Sequence, residues 1–171
     1  MSRRRYFSLI MVGAIALLLI AQASLVAANE SGKVLKWDTM VGVPAGLAGA
    51  QSQAPLRGIN GGGIPWTLTS GSGELGDDGN LKIKVDGLVL AAGANAGSNP
   101  SATFRAIVSC VRGDGSFENI LTDPFPATTG QASAGGGDAK IKTNVVLPSP
   151  CIAPIVFVTS AGGSWFAATG N

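Results

Sequence analysis

The sequence predicts an all-β fold: an antiparallel β-sandwich, immunoglobulin-like only in a loose sense, with a small β-barrel as the alternative. Three observations carry this expectation. Short runs of strict apolar/polar alternation recur through the C-terminal two thirds of the chain, and Gly and Pro interrupt them at frequent intervals. No stretch after residue 28 holds a convincing helical period.

The N-terminus has the layout of an export signal. Arg3-Arg4-Arg5 is a positive n-region, residues 9–20 form an apolar h-region, and Val26-Ala27-Ala28 fits a small-x-small cleavage site, with Ala21-Gln22-Ala23 as a second candidate. Gln22 and Ser24 interrupt the apolar run, which argues against an uncleaved membrane anchor. The chain therefore divides into a signal peptide over 1–28, a strand with a Gly/Ala-rich loop over 29–63, and a β-sandwich core over 64–171. Its expected location is outside the cell or at the cell envelope. Contact with a membrane is expected only through the signal peptide before cleavage.

Cleavage would leave 143 residues, the size of one domain. It would also remove three of the 12 basic residues, leaving nine against 10 acidic ones. Along the sequence the remaining charges are scattered singly, so nothing in the order of residues supports nucleic-acid or anionic-membrane binding.

Taken in order, residues 33–41 read as a first strand, with Trp37 supplying apolar surface. Residues 43–63 read as a mobile loop ending in Gly61-Gly62-Gly63, with Gly46 and Gly49 arguing against a helix at 45–50. Residues 64–70 alternate, placing Trp66 and Leu68 on one side. Asp77-Asp78-Gly79-Asn80 is a turn signal, and Leu81, Ile83 and Val85 alternate inward against Lys82, Lys84 and Asp86. The apolar parity then shifts at Asp86-Gly87, which predicts a bulge or bend.

The stretch Thr103-Phe-Arg-Ala-Ile-Val-Ser-Cys110 reads as a half-buried strand with Phe104, Ala106, Val108 and Cys110 inward. Residues 112–116 form a turn, 117–121 pair briefly, and 127–137 read as a flexible low-complexity loop. Residues 139–147 alternate again, with Ile141, Thr143, Val145 and Leu147 inward. Pro148 and Pro150 end that run and deliver Cys151. Residues 155–159 and 165–169 form a last hairpin through Gly162-Gly163.

Two cysteines in an exported chain read most simply as one disulfide, Cys110–Cys151. Closing such a loop stabilises the fold by on the order of 3–4 kcal/mol through the unfolded state. A catalytic thiol is disfavoured, because the chain has no histidine and Cys110 sits on an apolar strand face.

The absence of histidine removes Ser-His-Asp and Cys-His arrangements and most zinc sites. Asp77, Asp78 and Glu74 could hold calcium, but Asp-Asp-Gly-Asn is first a turn sequence. Glu74 with Asp86, or Glu118 with Asp123, could serve as a glycosidase pair only at a suitable separation. Arg112-Gly113-Asp114 spells an adhesion tripeptide on plain turn chemistry, and Asn29-Glu30-Ser31 is the only glycosylation sequon. No catalytic residue, metal or cofactor is assigned.

Aromatic residues offer the remaining candidate surface. Trp165 and Phe166 are neighbours on a strand and should face opposite sides, so one lies outside the core unless both faces are covered. Trp66, Trp165 and Phe166 are the candidate ligand surface, suited to a carbohydrate or protein partner.

Gly87-Leu-Val-Leu90, Thr103-Phe-Arg-Ala-Ile-Val-Ser-Cys110, Leu147-Pro-Ser-Pro-Cys-Ile-Ala-Pro-Ile-Val-Phe-Val158 and Trp165-Phe-Ala-Ala-Thr-Gly170 are similar to uncharacterised secreted bacterial β-sandwich proteins. The resemblance covers roughly the C-terminal 85 residues. It implies bacterial export and a paired Cys110–Cys151, and it transfers no site residues. The expected role is a secreted, non-enzymatic domain that binds through loops or an exposed sheet face. The alternatives are an envelope assembly module pairing through edge strands at 64–70 or 165–169, and a carboxylate-based hydrolase.

Overall fold

The computed structural model describes residues 32–44 and 55–170. The expected signal peptide, the Asn29 sequon and the rejected helix at 45–50 lie outside the described residues. What is described is an antiparallel β-sandwich with no closed barrel. One sheet has the strand order β1 (Lys33–Trp37), β4 (Ser70–Gly76), β5 (Asn80–Asp86), β12 (Ala139–Asn144). The other has the order β10 (Phe125–Pro126), β8 (Thr103–Val111), β13 (Ile152–Thr159), β14 (Trp165–Thr169), β2 (Met40–Gly42), with β9 (Phe117–Leu121) also on β8.

The inward sets meet between these layers as the alternation requires. Leu81, Ile83, Val85 and Ile141 pack in one core with Phe104, Ala106, Val108 and Cys110. The disulfide is present, with a Cα–Cα distance of 4.9 Å. It joins neighbouring strands of the same sheet, since Ile152 pairs with Val111. The inter-sheet pin of antibody domains has no counterpart here.

Several elements differ from expectation. The run at 33–41 is two strands in different sheets, β1 on β4 and β2 on β14. Trp37 and Met40 are both buried in the core, and a spacing of three cannot place both on one face of a continuous strand. Crossing at Asp38-Thr39 resolves this and closes one end of the sandwich. The expected strand at 64–70 shrinks to β3 (Trp66–Thr67), paired with β6 (Val89–Leu90). β4 is a long strand in a stretch to which the sequence alone assigns no element. Gly73 faces inward beneath Trp37, and a Cβ there would lie 2.3 Å from the indole Cζ2. The glycine is the space the tryptophan fills.

The loop at 127–137 is not loose. It contains β11 (Gly130–Gln131), paired with β7 (Ser98–Asn99), and one 3-10 turn at Ala132–Ala134. The buried Asn99 donates Nδ2 to Ser101 O and Thr128 O, both at 2.8 Å. Gly137 donates its N–H to Thr128 O and accepts from the Leu88 N–H. It has φ 85° and lies so near Leu88 that a Cβ would fall 2.4 Å from its carbonyl oxygen, so no other residue fits. The parity shift at Asp86-Gly87 is a bend: Gly87 has φ 63° and the chain leaves the four-stranded sheet there.

The Cys110 strand is buried on both faces, not half-buried. Ile107 joins Val43, Ile59, Phe157, Trp165 and Ala168 in a second apolar cluster on the far side of the six-stranded sheet. Residues 55–63, expected to be a mobile loop, cover that side. The Trp165 backbone N–H donates to Asn60 O, and the Gly62 N–H donates to Trp165 O. Arg57 completes the cover, with Nη1 donating to Ser109 O at 2.9 Å and Nη2 to Ala153 O at 2.6 Å. Its guanidinium also lies 5.6 Å from the Phe117 ring centroid.

Candidate functional site

The three aromatic residues expected to form a ligand surface are interior. Trp66 stacks on Phe166 with ring centroids 3.8 Å apart, and Trp165 meets Phe157 edge-on. All three are at least nine-tenths buried. Both faces of the hairpin are covered, and a bulge between Val158 and Thr159 in the β13–β14 register lets Phe166 turn to the main core while Trp165 enters the second cluster. The edge pairing expected of 165–169 is also closed off, because β14 is hydrogen-bonded to β13 and β2.

The carboxylate pairs do not converge either. Glu74 receives Lys82 Nζ at 2.7 Å and lies 3.6 Å from Lys33 Nζ. Asp86 receives Lys84 Nζ and the Ser70 hydroxyl, each at 2.7 Å. The bond from Lys82 holds the Glu74 carboxyl below its ordinary range, and the bonds from Lys84 and Ser70 do the same for Asp86. Glu74 pairs with Lys82 and Asp86 with Ser70, four residues apart along the ladder, about 13 Å. A glycosidase pair needs roughly 5–10 Å and an acid with a raised pKa. Glu118 is bound by Arg112 in the other sheet, and Asp123 lies beyond the end of β9. Asp78 turns its carboxylate on the Asn80 N–H, as a turn residue does. Asp114 accepts from the Ser116 hydroxyl and N–H, which lowers its carboxyl and closes the turn that holds the Arg-Gly-Asp run.

What the fold does gather is lysine. The chain has six: Lys33, Lys36, Lys82, Lys84, Lys140 and Lys142. All six lie on β1, β5 and β12, on the exposed outer face of the four-stranded sheet. The register sets Lys142 opposite Lys82 and Lys140 opposite Lys84. On the other side of β5, Glu74 stands opposite Lys82 and Lys36, while the small Ser72 stands opposite Lys84. This relief forms a shallow open trough of about 410 Å³ lined by Lys36, Lys82, Lys84, Lys140 and Lys142 with Asp38, Glu74 and Ser72.

Five lysines against two acids leave the trough at +3. The described residues as a whole carry nine basic and nine acidic side chains, so everything outside the trough sums to −3. Charges scattered singly in the sequence are thus concentrated by strand pairing. Lys82 and Lys84 have carboxylate partners, whereas Lys36, Lys140 and Lys142 have no ion pair among the described residues. Like charges directly opposite on a ladder destabilise it. Here two such pairs stand side by side, relieved only from the β4 side and by Asp86. On β12 neither Lys140 nor Lys142 makes an ion pair among the described residues, and Lys140 meets only the field of nearby Asp86.

Compared with known proteins, the chain matches no family model, no curated protein and no solved structure. It is a small disulfide-bonded all-β domain, a form compatible with an extracellular location.

Proposed function

We propose that this chain is an exported, non-enzymatic β-sandwich that binds an anionic partner through the outer face of its four-stranded sheet. One observation carries the reading: every lysine of the chain is on that face, with two like-charged cross-strand pairs only half neutralised. The other outward face is closed by residues 55–63, so the lysine sheet is the bare one. The signal-like N-terminus and the disulfide support export, and the resemblance to secreted bacterial proteins agrees with it. Glu74, Asp86 and Glu118 serve as local partners of lysine and arginine, which supports binding over hydrolysis.

The test is retention on a sulfopropyl cation exchanger at pH 7 and low salt. Although it carries about as many acids as bases, the protein should be retained and should elute as salt screens the face. K36Q/K140Q/K142Q should pass through. Flow-through of the wild type, or equal retention of the variant, would overturn the assignment of the face.

A further inference from the structure

Building on that reading of the lysine face, we infer that its ligand is a linear acidic polysaccharide lying across the strands, from the Lys140/Lys142 pairs over Ser72 to Lys36. The charge geometry points to a polymer. The four lysines of β5 and β12 stand about 5 Å apart across the ladder and about 7 Å along each strand, with Glu74 between them and Lys36, so a line of anions meets several at once while a single small anion meets two. From β12 to β1 the trough crosses three strand spacings, about 14 Å, long enough for a short run of charged sugars.

The chemistry of the lining selects among polyanions. It has lysine and no arginine, hence mobile point charges with no planar fork for bidentate phosphate recognition. Its one aromatic residue, Trp37, is buried, so neither a base nor the apolar face of a neutral sugar has a ring to stack on. The exposed surface of the trough has no protruding apolar side chain to enter a lipid surface. What remains favourable is charge recognition of hydrated carboxylate or sulfate groups along a chain, with Ser72 able to hydrogen-bond a sugar hydroxyl at the floor. Glu74 and Asp86 are ion-paired with Lys82 and Lys84, whereas Lys36, Lys140 and Lys142 make no ion pair among the described residues and can turn to the ligand.

The experiment is calorimetric titration of the full protein with polygalacturonate, monomeric galacturonate, dextran, a short DNA duplex, and vesicles of anionic phospholipid. Polygalacturonate should bind, with affinity falling about 10- to 100-fold between 50 and 200 mM salt as counterions compete. The monomer should bind at least 100-fold more weakly, dextran should not bind, and K140Q/K142Q should lose tenfold or more for the polymer. Tighter binding of duplex or vesicles than of polygalacturonate would overturn the ligand class while leaving the anionic face in place. Equal affinity of monomer and polymer, or an unchanged K140Q/K142Q, would overturn the extended mode across β12. Failure of every probe in a protein still retained on the cation exchanger would refute the polysaccharide alone. Failure together with lost retention would refute the face itself.

Discussion

The two outer faces of this sandwich are built from the same alternating strands and treated in opposite ways. The six-stranded sheet turns Ile107, Phe157, Trp165 and Ala168 outward and buries them beneath the chain's own residues 55–63. The four-stranded sheet turns lysines outward and leaves them bare. A face that is apolar must be covered, and the covering costs chain length and a left-handed non-glycine residue, Arg57 at φ 52°. A face that is charged is stable in water without cover, and like charges side by side on it cost only a little stability. The lysine face carries that small cost in two cross-strand pairs, and the proposed binding role rests on it.

Cutting into the covered face should produce the largest effect. Phe157→Ala removes a fully buried ring from the second cluster and should cost about 3–5 kcal/mol in urea unfolding. A cost below about 1 kcal/mol would mean that this cluster is not a true second core. Arg57→Ala leaves Ser109 O and Ala153 O without their charged donor, and should cost roughly 1.5–3 kcal/mol. It should also speed amide hydrogen exchange at Gly62 and Trp165 while leaving β5 and β12 unchanged. Faster exchange in β12 would show that the two faces are coupled and weaken the comparison.

On the bare face the expected changes are smaller and reverse in sign. K140Q/K142Q removes both like-charged cross-strand pairs and should stabilise the free protein by about 0.2–1 kcal/mol, more at low salt. Acid should give the smallest effect. The depressed carboxyls of Glu74 and Asp86 contribute stability that is complete above the ordinary carboxylate range and is lost as pH falls through their lowered values. Below that point Lys82 and Lys84 lose their partners, so a sulfated polymer, still ionised, should bind more tightly per lysine. Weaker binding there, in a protein still folded by circular dichroism, would count against the trough.

The covered face was partly legible in the sequence and the bare one hardly at all. Strict alternation identified β5, β12 and the Cys110 strand, because each has an inward set of large apolar residues. The same reading placed Lys82, Lys84, Lys140 and Lys142 outward. It could not pair β5 with β12, since 52 residues separate the end of one from the start of the other, and only that pairing turns scattered charges into a cluster. β4 escaped for the opposite reason: glycine usually marks a turn, and its period-two pattern of Ser70, Ser72 and Glu74 against Gly71, Gly73 and Leu75 was the available signal. Trp66, Trp165 and Phe166 were singled out as a surface because aromatic residues bind sugars. Composition alone cannot tell that residues 55–63 cover the outer sheet or that a bulge turns Phe166 inward.

The most direct test compares thermal melts of the wild type and K140Q/K142Q, each alone and with saturating polygalacturonate. The account predicts that the variant melts higher than the wild type when free, and that the polymer raises the wild type by more than it raises the variant. A variant that melts lower when free, or that gains as much from the polymer as the wild type does, would contradict the claim that the unrelieved lysine pairs on β5 and β12 are the binding site.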